Sequence, residues 1–446
     1  MVGHRYDVAV VGGGSAGIAA AIAAAERGAH CILLDREATL GGNISQAFVH
    51  TVCGLYYADV PVPRYANPGF PQRFARASLA WGAARDPVRA GRVWVLPTDP
   101  PKLAAAAVEL CNATAGLELG LSAELVGVTL SAEPGGEQQL LLQTAEGVRE
   151  ELSARIVVDA SGDAALAVLG GAATETSAPD ELQLPSYIFR LAGVDTAALD
   201  ELQGFGRLHV TRAVAVAVRD GDLPPGCESV LVRPGFDSGR VYLTLNLPRP
   251  AEGWEPLDSG RAARLQNEAQ ASAEQLVAFL RETRPAFAHC RIDAWPARLG
   301  VREGRRLSAR GRVTRDDVCS GRRCADEVAI STWPIELWRD HRRATFIHAD
   351  GPCGVPLAAL LSRSHPGLLA AGRCLGADAD ALGALRVIGT ALATGEAAGV
   401  AAACAADANS DLASVAAGEV RRHILERAQS GPGQPGSPEV PPEADP

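Results

Sequence analysis

Apolar residues fall along this chain in two rhythms, short unbroken runs and longer Ala-rich stretches. Tyr6–Val11 is a short apolar run stopped by Gly12, the pattern of a strand buried on both faces of a parallel sheet. Ser15–Arg27 is Ala-rich and favours a helix, and Gly28 suits the left-handed position beyond its end. Cys31–Leu34 is a second strand, ending at Asp35. Together they predict a βαβ unit. Further on, Lys102–Cys111 reads as a helix. Leu117–Val128 and Gln139–Gln143 read as strands of a small hairpin system joined through Glu133-Pro134-Gly135-Gly136. Arg155–Asp159 is another buried strand.

From about Ala173 to Pro366 the pattern changes. Alternation appears in Val241–Leu247, and Arg261–Thr283 suits a long helix. Leu368–Ala371 then returns as a strand, and Thr390–Ala405 is a Gly/Ala-rich helix. The expected organisation is a domain over 1–172, an inserted substrate or cap domain over 173–366, the rest of the first domain over 367–427, and a disordered Pro/Gly/Glu-rich tail over 428–446. No internal repeat is found.

Composition narrows the functions. A chain of 446 residues with 47% hydrophobic residues can fill two packed cores. Its net charge of -10 opposes nucleic-acid binding, which needs a basic face. The 10 cysteines show no zinc-finger spacing and read as reduced thiols, so no metal site is expected. Val8–Ala25 is apolar, but Gly12, Gly13 and Gly14 interrupt it, unlike a signal peptide. No other run approaches a membrane span, so a cytoplasmic protein is expected.

The strongest motif is Val10-Val11-Gly12-Gly13-Gly14-Ser15-Ala16-Gly17, a G-x-G-x-x-G fingerprint between strand and helix. Gly12 makes the turn, Gly14 lets a pyrophosphate approach, and Gly17 lets the helix pack on the strand. The phosphates are expected at the helix N-terminus, on Ser15 and Ala16. Asp35 stands about twenty residues on, where an acid accepts from the adenosine ribose.

Four further segments carry a resemblance. They are Leu40-Gly41-Gly42-Asn43-Ile44-Ser45, Val157-Val158-Asp159-Ala160-Ser161-Gly162-Asp163, Ala370-Ala371-Gly372-Arg373 and Gly389-Thr390. With the fingerprint, they resemble the FAD-dependent oxidoreductases of the two-dinucleotide-binding-domain superfamily. The implied fold is α/β, a Rossmann-like FAD-binding domain with an inserted α+β substrate domain. The implied FAD set adds Arg36, Gly42, Asn43, Ser45, Leu125, Ser161, Gly162, Gly372, Arg373, Gly389, Thr390 and Ala391. Val301-Arg302-Glu303-Gly304-Arg305-Arg306-Leu307 is similar to the R-E-S-R-R-I motif of one branch. Val318–Arg323, Thr332–Trp338, Gly354–Leu361 and Leu368–Ala405 look like that branch too. Three departures stand out: Gly304 in place of Ser, Trp338 in place of His, and Ile388-Gly389 in place of Met-Pro.

The flavin supplies hydride chemistry, so polar groups beside it are the catalytic candidates. His50 is expected to line the pocket, in a segment that also holds Cys53, Tyr56 and Tyr57. Arg302, Arg305 and Arg306 are expected at helical spacing on one side. Arg302 and Arg305 are candidates for carboxylate recognition, which implies a small, acidic substrate. The amides of Gly389, Thr390 and Ala391 are expected to stabilise charge on a reduced flavin. The leading expectation is oxidation or desaturation of a small metabolite, with O2 or another acceptor taking the electrons. Alternatives are a flavoprotein monooxygenase or halogenase, an FAD-bearing electron-transfer subunit, and a tRNA-modifying flavoprotein. No second G-x-G-x-x-G unit is present, and no cysteine run suits an iron–sulfur cluster. Homo-oligomerisation is left open.

Overall fold

The computed structural model describes residues 4–200 and 206–429. Strand β1 (His4–Val11), helix α1 (Ser15–Glu26) and strand β2 (Cys31–Asp35) form the expected βαβ unit. The apolar runs pair in parallel, Val8 opposite Cys31 and Val11 opposite Leu34. On the other side β1 pairs in parallel with Arg149–Asp159, placing Val11 opposite Asp159. Leu117–Leu121 extends the sheet beyond β2, and Leu368–Ala370 lies parallel to Val157–Asp159. A hairpin of Ala123–Thr129 and Gln138–Thr144 adds two antiparallel strands. The single strand expected over Leu117–Val128 is corrected: Ser122, at φ +56°, breaks it in two.

One face of this sheet carries α1 and the long helix Ile388–Ala408, which pack with almost no side chain between them. A Cβ on Gly395 would fall 2.1 Å from the Ala16 carbonyl oxygen, and one on Gly399 2.0 Å from that of Ala20. The long helix is 21 residues with a mean hydropathy of 1.3, so a second run does reach the length of a membrane span. It is 94% buried in the protein, which accounts for its composition.

A second core lies over an antiparallel sheet ordered Leu231–Pro234, Arg240–Asn246, Ser186–Ala192, Arg291–Ala294. Val241, Leu243 and Leu245 face that core with Tyr187, Phe189 and Leu191, under the helix Ser259–Thr283. The alternate residues Tyr242, Thr244, Asn246, Ser186 and Ile188 form the opposite face, and they are buried as well. That face meets the first unit. The second core draws on residues 182–301; residues 313–361, grouped with the insertion on sequence, pack in the first core. The helix Ala417–Gln429 reaches into the expected tail, whose residues 430–446 lie outside the described ones.

Candidate active site

The carboxyl ends of β1, β2, Arg149–Asp159 and Leu368–Ala370 open on one edge of the first sheet, where nucleotides bind in such folds. Gly12 turns the chain at φ +105°, and a Cβ there would sit 2.5 Å from the Ala160 carbonyl oxygen. A Cβ on Gly17 would fall 1.8 Å from the Gly12 carbonyl oxygen. Both are therefore packing glycines. Gly14 is different: an added Cβ meets only the Gly42 Cα, at 3.9 Å. No side chain caps α1, whose N-cap is Gly14, so its first amides stay free for an anion. The Gly41 amide donates to the Gly13 carbonyl at 2.8 Å, which lays the double glycine beside this cradle. The open approach at Gly14 and the free helix end fit an FAD pyrophosphate.

The remaining sequence candidates fall into groups. Asp35 is at the edge, but its Oδ2 accepts from the Gly13 amide at 2.5 Å and its Oδ1 from Glu37 at 2.8 Å, so it also braces the loop. Arg36 is exposed. The Ser122 amide bonds the Glu37 carbonyl at 3.1 Å, bringing the Leu125 strand alongside, and half-buried Leu125 packs on its core. Ser161 and the Ala167 amide donate to buried Asp159, whose carboxyl is pushed up by burial, and this shapes the turn through Gly162. Asn43 donates to the Val301 carbonyl at 3.2 Å, and Ser45 to that of Gly42 at 3.4 Å. Gly372 donates to Thr394. Arg373 bonds the carbonyls of Gly162 and Val301 and Asp163 Oδ1, so it ties the walls of the groove together.

Two expectations are corrected. Gly389 and Ala391 do not offer free amides: they donate to the carbonyls of Cys53 and Val387 at 2.8 and 2.9 Å. A Cβ on Gly389 would fall 2.4 Å from the Gly54 backbone, so this glycine serves close approach. Thr390 is wholly buried with an unpartnered hydroxyl. Nor do Arg302, Arg305 and Arg306 share a helix face. Residues 301–305 are irregular and Arg306–Leu307 is a short strand, so the three diverge. Arg305 Nε donates to the Asp163 carbonyl at 2.9 Å, and Arg306 pairs with buried Glu303 at 3.0 Å.

Arg302 reaches the second sheet. Its terminal nitrogens donate to the Leu184 carbonyl at 2.6 Å and to Asn246 Oδ1 at 2.7 Å. Its guanidinium lies 4.7 Å from the Trp338 ring centroid. Burial and the neighbouring Arg386 push it down to about 9. Trp338 and Trp333 donate to Glu336 at 2.6 and 2.9 Å, and Arg386 stands 4.0 Å from the same carboxylate. Burial alone would raise Glu336, but Arg386 and the indoles hold it below its usual range.

His50 stacks on Tyr242 from the second sheet, ring centroids 4.4 Å apart. Its Nδ1 lies 3.0 Å from the Phe48 carbonyl oxygen, which only accepts, so Nδ1 carries the proton. Burial pushes the imidazole down to about 4. The ring is thus neutral at pH 7 with Nε2 as acceptor. Burial pushes the nearby Cys53 thiol up.

Sequence reasoning missed Arg298, Arg233 and Arg386. Arg298 lies among Asp35, Arg36, Glu37 and Arg373, and among the described residues its side chain makes no hydrogen bond or ion pair. Arg386 was readable as the charge just before the long helix Ile388–Ala408; Arg298 and Arg233 carry no local signal. Elsewhere, Cys404, Glu419 and His423 bring ligand atoms within 4.8 Å of one another, but Arg27 beside the Cys404 sulfur opposes a cation there.

A glycine cradle at the helix end of a parallel sheet, with buried polar side chains between it and a second sheet, is the arrangement of a dinucleotide-binding protein. The family model of the FAD dependent oxidoreductases matches residues 7–424, and the chain belongs to that family, with FAD as its cofactor. No curated protein matches it. Among solved structures it is similar to a geranylgeranyl bacteriochlorophyll reductase-like protein from Thermoplasma acidophilum (13% identity, 96% of this chain, 82% of that one, TM-score 0.44). It is also similar to p-nitrophenol 4-monooxygenase from Pseudomonas putida DLL-E4 (11% identity, 96% of this chain, 91% of that one, TM-score 0.45). At these scores the likenesses carry no argument about activity.

Proposed function

We propose that the protein oxidises or desaturates a small organic metabolite in the cleft between His50–Gly54 and the Tyr242–Asn246 face, working in the cytoplasm. Bound FAD would accept the hydride, with O2 or another acceptor reoxidising it. Gly14, Gly42, Ser15 and Ala16 would hold the pyrophosphate, and Thr390 would meet the ring system. The observation that carries the reading is the fixed tautomer of His50. Its proton is committed to the Phe48 carbonyl, which leaves Nε2 to take a proton from a substrate O–H or N–H. Tyr242 covers one face of the ring.

The test is anaerobic. The yellow holoprotein is mixed with amines, alcohols and hydroxy acids, and flavin bleaching is followed. Bleaching by a metabolite supports the proposal, with His50→Phe slowing reduction while FAD content holds. Bleaching by NAD(P)H alone replaces it with a monooxygenase, and bleaching by a protein donor alone with an electron carrier.

A further inference from the structure

We propose that Arg233, Arg386 and Arg302, gathered around the Cys53 segment and the Asn246 strand, form a recognition site for a small carboxylate substrate. The inference rests on reading that cleft as the place of oxidation.

The placement follows from the two sheets. Arg233 pairs with Tyr242 in the second sheet, and Tyr242 carries the His50 ring. The chain runs from His50 to Cys53, whose carbonyl holds the Gly389 amide at the start of the long helix. Arg386 is three residues before Gly389. Arg302 closes the far end through Asn246, two side-chain positions along the same strand face as Tyr242. Arg233 and the Glu336–Arg386 pair therefore both lie near enough to Cys53 to act on its thiol.

The charges do not balance. Arg386 and Arg302 bear on the Glu336 carboxylate, whose oxygens already accept from Trp333 and Trp338; Glu303 also bears on Arg386 but is paired with Arg306, and Arg233 adds a third cation near Cys53. Arg302 is held by neutral acceptors, which fix its plane without cancelling its charge. Arg386 donates to the Glu336 carbonyl at 3.1 Å, and its buried Nε has no partner. Among the described residues Arg233 makes no hydrogen bond or ion pair; its side chain is exposed, yet the surrounding protein lowers its pKa and Arg207 lowers it further. His50 and Cys53 are neutral at pH 7 and supply no counter-charge. A desolvated cation short of counter-charge is costly, which holds for Arg386 and Arg302, and a bound anion removes that cost; exposed Arg233 is free to swing onto the same anion. Guanidinium matches a carboxylate through paired, coplanar hydrogen bonds, which favours a carboxylate over a bulkier anion.

The test titrates the holoprotein with benzoate and succinate, reading the flavin absorption spectrum. Benzamide and succinamide are the uncharged controls, and inorganic phosphate is the competing anion. The expected result is a saturable spectral shift with at least one carboxylate and none with its amide. Arg233→Gln and Arg386→Gln should each weaken that binding by roughly tenfold or more, with FAD content unchanged. Arg233→Gln removes no internal bond, so it reports even if Arg386→Gln fails to fold. Absence of any carboxylate effect, equal binding of amide or phosphate, or binding indifferent to Arg233→Gln overturns the proposal. Carboxylate binding without reduction by any metabolite would sink the oxidation reading and leave this site standing. Reduction by uncharged substrates without carboxylate binding would do the reverse.

Discussion

The imidazole of His50 and the phenol ring of Tyr242 lie 4.4 Å apart, with their planes within 7° of parallel. One ring comes from the segment after the nucleotide cradle, the other from the second sheet, so this stack joins the two units at the cleft. His50→Ala removes the stack and the bond to the Phe48 carbonyl. From an aromatic pair plus one buried hydrogen bond, the expected loss is about 2 kcal/mol. His50→Phe keeps the ring and should lose about half of that. Urea unfolding of both variants at neutral pH checks the order.

The same burial sets an acid response. His50 titrates near 4 in the folded protein, below its ordinary 6.5. The unfolded chain therefore takes up the proton first as pH falls, and stability drains away between 6.5 and about 4. His50→Phe should flatten the stability curve in that window and change nothing above it. Denaturant titrations across the window decide; an unchanged slope means the imidazole is already charged when folded.

Two glycines of one motif should behave oppositely. A methyl at Gly17 collides with the Gly12 carbonyl oxygen, so Gly17→Ala should destabilise the apoprotein itself, by about 1–3 kcal/mol. A methyl at Gly14 meets nothing nearer than 3.9 Å. Gly14→Ala should leave apoprotein melting unchanged but weaken FAD affinity by roughly tenfold. Melting curves and flavin fluorescence titration separate the two, and equal effects would mean Gly14 does not face the cofactor.

These contrasts mark what the sequence makes legible. The βαβ unit and its cradle are local: a strand, a turn and a helix end lie within one short stretch, and their chemistry is written in glycine spacing. The cleft is not local. Arg233, Tyr242, Asn246, Arg302, Glu336 and Arg386 meet only because two sheets face each other, and no spacing records that. The arginine run after residue 301 misleads for the same reason. Its spacing suits a helix, but Glu303 is claimed by Ser177 and the Gln183 amide from a distant segment, and the backbone over 301–305 is irregular. The Gly389 amide was expected to face the flavin; whether Cys53 already occupies it depends on a loop more than three hundred residues away in sequence.

Arg373 shows how a cofactor candidate can act at one remove. Its three bonds join Gly162, Asp163 and Val301, so Arg373→Met should loosen both walls of the groove. A melting-temperature drop in the apoprotein and weaker FAD binding should appear together. Weaker binding with unchanged melting would instead make Arg373 a direct ligand.

Glu396 gives the opposite pH response to His50. It sits in the middle of the long helix, buried, and its Oε1 accepts from the Phe70 amide at 2.7 Å. Phe70 opens the helix Phe70–Ala80, whose N-cap Gly69 supplies no side chain, so this carboxyl from a distant element caps it. Burial raises Glu396 to about 7, against the pull of the Phe70 amide and Arg73; nearby Glu26 adds to the rise. The folded state therefore holds a proton that the unfolded chain gives up above its ordinary 4.5. The stability this proton contributes is full below 4.5 and is lost as pH rises through about 7. Glu396→Gln keeps the acceptor oxygen and the volume but cannot ionise. It should match the parent at about pH 5 and exceed it by about 1–3 kcal/mol at pH 8. Denaturant unfolding at the two pH values reads the difference directly, and a variant less stable than the parent at both would show that the charged carboxylate is the form the helix end requires.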